Sequence, residues 1–295
     1  MDDLKEKLIS LLHYPEISWN SIFKLLKKDP LLQSVPRVNS SPSNQLSLFT
    51  DRTSSTEATP PITTQPSELI SQQIQQYEAN GIRVITIFDK EYPSLLKEIY
   101  QPPWALFVKG DLSLLKIDKK LAVVGSRQST QYGRNAMRLI FPGLIEKDML
   151  IVSGLAKGID SYAHEYAIKN DGKTIAVIAG GFYHIYPKEN VPLAKELMNS
   201  QLIISEYPPD TKPLKWHFPA RNRIISGLAI GTFVIEAKRK SGSLITANYA
   251  INEGRDVFAL PGSIFNPFSL GTNDLIQQGA KLVTKAEDIL EEYRL

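Results

Sequence analysis

The residues of this chain with the most pointed chemistry are cations set beside glycine turns. Arg127 closes the run VVGSR, Lys157 lies inside SGLAKG, and Lys188 follows HIYP. Arg221 and Arg223 bracket Asn222 in FPARNRIISGLA, while Lys238, Arg239 and Lys240 precede Ser-Gly-Ser in EAKRKSGSLITA. Arginine holds phosphate bidentately, lysine acts as a point charge, and a helix N-terminus adds free N–H groups. In IVSGLAKGIDSYAH a β-branched run stops at Ser153-Gly154, and helical spacing resumes after Gly158. A backbone that turns this way at a strand end aims N–H groups at an anion. That anion is a cofactor's phosphate, a small substrate's, or a nucleic-acid backbone's. For any one of these cations the plain alternative is a solvated charge or an internal ion pair. RNR is the least plain, because an Asn and two Arg ahead of an apolar helix are partly buried and need partners.

Other chemistries find little support. A dinucleotide fingerprint requires G-x-G-x-x-G, and no G-x-G occurs in the chain. Gly172-Lys173-Thr174 resembles the tail of a nucleotide-binding loop, but it precedes its strand, and Ala167 stands where the first glycine belongs. The four histidines, His13, His164, His184 and His217, have no metal-binding spacing, and there is no cysteine to supply a thiolate. Glu206 and Glu236 fall at strand ends, where a carboxylate can act as acid or base. Capping or pairing with neighbouring Arg and Lys is the preferred reading of both. No metal and no cofactor are expected.

These residues need a frame to position them. Strand-like runs cover residues 83–88, 121–126, 149–154, 174–180, 202–207, 232–237 and 256–262, with a short one at 281–283. Most are separated by segments long enough for a crossover helix. Apolar strands alternating with helices predict an α/β fold, a doubly wound and mostly parallel Rossmann-like sheet covered on both faces. Gly125-Ser126-Arg127, Ser153-Gly154, Gly180-Gly181, Ser205-Glu206, Glu236 and Pro261-Gly262 each follow a strand's last apolar residue. In such sheets the ligand crevice lies outside the carboxyl ends of the strands, so these tips converge on one edge.

Ahead of that domain, residues 1–33 read as a small helical domain, with Ser18 or Asn20 available as a cap. Residues 34–67 have the Ser/Thr/Pro composition of a linker or mobile loop, although Leu46–Phe49 are apolar enough to dock. The Rossmann-like domain is placed at 68–295. The charged start MDDLKEK is not a signal peptide, and no apolar run reaches bilayer length, so a cytoplasmic location without a membrane span is expected. The absence of cysteine suits a reducing compartment. Residues 1–115 hold 11 Lys+Arg against 13 Asp+Glu, and residues 116–295 hold 23 against 18. The basic bias of the second part is compatible with a polyanion and does not establish one.

VGSR, SGLAKGIDSYAH, IAVIAGGFYHIYPKEN, SEYPPDTKP, FPARNRIISGLA, VIEAKRKSGSLITANYAINEGRDVFALPG and GTNDLIQQGAKLV occur here in register. Together they resemble the DNA-processing protein A family (DprA, also called Smf) over about residues 82–295. The short helical start resembles the SAM-like domain of many members. The resemblance implies an extended Rossmann fold that binds single-stranded DNA, protects incoming strands in natural transformation and helps load the recombinase RecA. It implies no catalysis and no bound nucleotide. Its DNA-contacting positions match Arg127 and Lys188 first, then Ser153, Gly154 and Lys157 of the glycine loop, and Arg221, Asn222 and Arg223 of RNR, with shaping of the pocket from within as the alternative for the inner glycine-loop and RNR residues. Lys240, in the basic run, is placed with them.

Members also self-associate, which places a homodimer contact near Ile251 and the segment Asn273–Leu282. The winged-helix domain that some members carry is expected to be absent. Tyr132, Phe182, Tyr183, Tyr186 and Phe218 lie near the strand ends and are candidates for base stacking, with core packing as the alternative. The competing class is a phosphoribohydrolase-like nucleotide-binding enzyme of related fold. Its P-G-G-x-G-T-x-x-E loop would fall on KRKSGSLITANYA, which lacks the double glycine and carries Tyr249 where a carboxylate is needed.

Overall fold

The computed structural model describes residues 2–35 and 67–293. The chain divides into two compact units, Met1–Ile82 and Arg83–Leu295.

In the first unit lie α1 (Asp2–Leu12), α2 (Trp19–Lys28) and α3 (Ser67–Ala79). Ser18 is the N-cap of α2, its hydroxyl accepting from the Ser21 N–H at 3.2 Å, and Lys27 and Lys28 sit in the last turn where they complement the helix dipole. Leu8, Ile9, Leu11, Ile22, Leu32 and Tyr77 are buried. Tyr77 explains why the division falls at Ile82 and not at Glu68, as the composition suggested. Its hydroxyl bonds His13 Nε2 at 3.0 Å, and the two rings stack at 5.9 Å, tying α3 to the N-terminal helices. Most of the expected linker, including Leu46–Phe49, lies outside the described residues.

Among the described residues of the second unit, nine strands form one sheet in the order β1-β2-β6-β5-β4-β3-β7-β8-β9. They are β1 (Arg83–Thr86), β2 (Ala105–Gly110), β3 (Lys120–Val124), β4 (Leu150–Ser153), β5 (Thr174–Ile178), β6 (Leu202–Ser205), β7 (Gly231–Val234), β8 (Asp256–Ala259) and β9 (Lys281–Leu282). From β6 across to β9 every pairing is parallel, whereas β2 runs antiparallel to both β1 and β6. The fold is therefore the expected α/β class with an antiparallel margin. That margin contains one strand the sequence reading omitted, β2. It follows Pro102-Pro103 and its carboxyl end points away from the crevice, so no turn chemistry marks it.

After a short helix α4 (Ser94–Lys97), the crossovers are α5 (Gln131–Ile145), α6 (Ile159–Lys169), α7 (Val191–Ser200), α8 (His217–Gly227), α9 (Gly242–Asn252) and α10 (Leu270–Gln277), and α11 (Glu287–Leu290) follows β9. Right-handed crossovers put α5, α6 and α7 on one face, and α8 and α9 on the other. On the first face Met137, Ile140, Phe141 and Leu144 of α5 pack with Ile159 and Ala163 of α6 over Leu121, Phe233 and Phe258. The strands are buried on both faces, which is why they read as continuous apolar runs rather than alternating ones.

Candidate nucleic-acid interface

The strand order reverses at β3. Strands β4, β5 and β6 lie on one side of it and β7, β8 and β9 on the other. The crevice at such a reversal is where Rossmann-like proteins seat a ligand, with its phosphate on the N-terminus of the following helix. Here that N-terminus already holds an anion from the chain itself. The fully buried Glu236 carboxylate accepts from the Thr130 N–H at 2.8 Å and from the Thr130 hydroxyl at 2.5 Å, at the cap of α5. Gly133 in the first turn leaves the room, since a Cβ there would lie 2.6 Å from Glu236 Oε2. The other tip carboxylate, Glu206, pairs with Arg223 at 2.5 Å in a largely buried setting. Burial, with Glu206 adding to it, pushes the Tyr92 and Tyr207 hydroxyls beside this pair well above the ordinary range. Both carboxylates thus cap or pair.

The glycine loop is held from beneath. Ser153 is fully buried, and its hydroxyl donates to the Val123 carbonyl at 2.6 Å. Arg221 is also buried, and its Nη1 donates to the carbonyls of Gly154 and, at 2.7 Å, Val177. The Asp160 carboxylate accepts from the Gly154 and Ala156 N–H groups. Burial pushes that carboxyl above the usual range against the opposing pull of Arg221, and burial lowers the Arg221 guanidinium to about 10. The loop then passes through left-handed conformations at Leu155 (φ 57°) and Gly158 (φ 81°). Gly158 is required there, because a Cβ would fall 2.3 Å from the Ser126 carbonyl oxygen and 2.7 Å from the Arg127 backbone. The Ile159 N–H closes the contact by donating to Ser126 O at 3.1 Å. Loop 153–158 therefore fixes the loop that carries Arg127.

The predicted residues separate into two sets on this geometry. Ser153, Gly154, Arg221 and Arg223 face inward and are engaged with the chain's own carbonyls and carboxylates. Of the two roles the sequence leaves open for them, phosphate contact or shaping the pocket from within, this placement fits the second. Asn222 is intermediate, its amide donating to the Gly242 carbonyl at the start of α9 at 3.2 Å. Arg127, Lys157, Lys188 and Lys240 are exposed.

Arg127 lies with its guanidinium carbon 5.8 Å from the centre of the Phe218 ring, and Tyr186 meets the same ring edge-on at 5.6 Å. Lys188 begins the turn just beyond Tyr186. Of the aromatic candidates, Phe182 is buried while Tyr132, Tyr183 and Tyr186 are exposed. Next to Arg127 an open groove is lined by Ser129, Arg134, Lys157, Tyr162 and Asn190. Arg134, Tyr162 and Asn190 were not singled out from sequence. Arg134 occupies the fourth position after the Thr130 cap and lies over the Tyr162 ring at 5.5 Å. Helical spacing from the cap identifies it. Lys157 bonds Glu189 at 2.6 Å. Lys240 lies beyond β7, outside the groove.

Of the expected self-association residues, Ile251 on α9 and Leu282 on the outer strand β9 are exposed. Asn273 instead clasps the loop after β8, exchanging bonds with the Gly262 backbone at 3.2 and 2.9 Å. Among the described residues no group of three metal-ligating side chains occurs, and no helix is long and apolar enough to cross a membrane.

Comparison with known proteins agrees with this fold. The family model for DNA recombination-mediator protein A matches residues 83–294. The chain is 53% identical over 216 residues to DNA processing protein DprA of Bacillus subtilis, covering 73% of each chain. It is 51% identical to the Streptococcus pneumoniae protein, whose crystal structure superposes with a TM-score of 0.72 over 76% of this chain and 77% of that one. A structure of DNA processing protein A from Helicobacter pylori, described for its single-stranded DNA binding mode, is 30% identical with a TM-score of 0.64, covering 72% of this chain and 96% of the other. On its sequence and its fold, this chain belongs to the DNA recombination-mediator protein A family.

Proposed function

We propose that the chain binds single-stranded DNA, the ligand named for the Helicobacter pylori relative, and that it does so through the strand's backbone phosphates at the sheet edge. The observation that carries this reading is the exposed pair Arg127 and Lys188 flanking the Phe218–Tyr186 aromatic contact. A non-specific single-strand binder needs cations along the backbone and ring faces for bases, and this edge has both. Arg221, Asp160 and Gly154 act as the support that fixes the Arg127 loop. In a cytoplasmic setting the protein would protect incoming strands during transformation and help load RecA, acting as a homodimer through the surface near Ile251 and Leu282. Two pockets on one strand raise avidity without new contacts. Catalysis has no part in this reading, since Glu236 and Glu206 are spent on a helix cap and an ion pair.

The test is fluorescence anisotropy of a labelled oligothymidylate across a salt series, with wild type beside the double variant Arg127→Ala/Lys188→Ala. Single strands give a log–log slope of about −0.7 per phosphate neutralised, so the double variant should flatten the slope by roughly 1.4 and weaken binding. A wild type whose binding is insensitive to salt would overturn the reading and return attention to nucleotide hydrolysis.

A further inference from the structure

Phe265 is 91% exposed, and its neighbour Ile264 is 72% exposed. The loop that carries them is not loose. Ser263 Oγ accepts from the Phe265 N–H at 3.2 Å, Asn266 Oδ1 from the Phe268 N–H at 3.0 Å, and Asn266 O from the Ser269 N–H at 2.9 Å. At its base the Tyr132 hydroxyl donates to the Pro261 carbonyl at 2.6 Å, and Asn273 clasps Gly262. On its far side the Phe268 carbonyl accepts from the Ala237 N–H at 2.7 Å, and Lys238 lies over the Phe268 ring at 4.6 Å. A pinned loop thus presents an aromatic ring to water, beside the exposed basic turn Lys238–Arg239–Lys240.

Strand order places this loop relative to the phosphate site. Along the carboxyl edge the tips succeed one another as β5, β4, β3, β7 and β8. Their side chains follow in the same sequence: Tyr186 and Lys188, then Lys157, Arg127, Lys238 with Lys240, and Phe265. Exposed Tyr132 lies between the Arg127 loop and the Phe265 loop, its hydroxyl bound to the latter. Four inter-strand spacings cover about 19 Å. At about 3.4 Å per phosphate along a stacked strand, that is roughly five or six nucleotides.

We propose that Phe265 is a base-stacking residue, which holds the far end of a single DNA strand laid along the sheet edge from Lys188 past Arg127 and the Lys238–Lys240 turn. The inference rests on the single-strand reading above and extends its site across the reversal of strand order. The charge of the neighbouring turn selects a polyanion as the occupant, and the bare ring selects one with unpaired bases. A duplex keeps its ring faces stacked inside and offers Phe265 none.

The experiment is anisotropy with the full chain and two labelled oligothymidylates, of about four and about twelve nucleotides, the lower and upper parts of the range a single-strand module covers. Phe265→Ala should weaken binding of the longer strand roughly tenfold, the effect of losing one stacked base, and leave the shorter unchanged. Its salt slope should match wild type, since phenylalanine neutralises no phosphate. Phe265→Trp should restore long-strand affinity and Phe265→Leu should not, which separates stacking from generic apolar contact. If Phe265→Ala binds both lengths as wild type does, or loses long-strand affinity only together with a change of oligomeric state on size exclusion, the stacking role is overturned. A wild type that binds neither length overturns the single-strand reading itself, and that outcome is visible before any Phe265 variant is compared.

Discussion

Gly154 lacks a side chain because the Arg221 guanidinium fills the space one would take. An added Cβ would lie 1.9 Å from Nη1 and 2.6 Å from Asp160 Oδ2. The pair links RNR to the glycine loop at the level of packing, and packing is what transmits it to function. Arg221 holds the Gly154 carbonyl, Asp160 holds the Gly154 and Ala156 N–H groups, and the loop so formed braces Arg127.

Two substitutions test that support. Gly154→Ala must expel the guanidinium and should cost about 2–4 kcal/mol, as overpacking with a broken buried pair does. Arg221→Ala leaves Asp160 buried without its counter-charge and should cost about 3–5 kcal/mol at pH 7. The second loss has a sign with pH. Burial already raises the Asp160 carboxyl above its unfolded value, so its burden is present above the folded pKa and relieved as pH falls through it. Urea unfolding of Arg221→Ala should therefore show a smaller deficit against wild type near pH 5 than near pH 7. Equal deficits at both would mean the charge of Asp160 is not what Arg221 balances.

The parallel strands and the crevice were legible because strands buried on both faces leave unbroken apolar runs, and their turns carry Gly, Ser or a charge. β2 was not, since an antiparallel margin strand ends away from the crevice and bears no such mark. Arg127, Lys157, Lys188 and Lys240 stand out in the sequence by their position just past strand ends, and all four are exposed. For Arg221 the sequence leaves two roles open, phosphate contact or shaping the pocket from within, because its partners are backbone carbonyls at Gly154 and Val177, far off in the chain. The place of α3 likewise depends on a distant residue, with Tyr77 meeting His13. Residue type and local spacing indicate that a cation sits at a turn; only the fold decides which way it faces.

His164 should set part of the acid sensitivity of the domain. Its Nδ1 lies 2.7 Å from the Thr174 hydroxyl, which gives its only proton to the Ile151 carbonyl at 2.8 Å. Nδ1 is therefore the donor, and the buried Nε2 is a bare acceptor with no partner. Burial, with Arg221 adding to it, lowers the ring's pKa to about 3. Below the ordinary pKa of 6.5 the unfolded chain takes a proton that the folded chain refuses, so stability falls as pH drops from about 6.5 toward 3. The slope approaches about 1.4 kcal/mol per pH unit from this group. Urea unfolding between pH 7.5 and 5 should show that slope in wild type and a flatter one in His164→Gln, whatever the packing cost of the variant at neutral pH. Parallel slopes would remove His164 from the account.

Lys157 offers a gain where the other variants lose. Its ammonium bonds Glu189 at 2.6 Å, with the two side chains 54% and 64% exposed, so water already screens the pair and a phosphate can replace the carboxylate. Glu189 then competes with DNA for one cation of the groove and also places a negative charge beside the strand. Glu189→Gln should tighten oligothymidylate binding roughly two- to fivefold at low salt and steepen the salt slope by about 0.7, one phosphate more. Adding Lys157→Ala to Glu189→Gln should cancel the change in slope, because the freed cation is then gone. If Glu189→Gln binds with the wild-type slope, Lys157 keeps its role in bracing the groove and the strand passes it by, with Arg127 and Lys188 as the contacts on that side of the reversal of strand order.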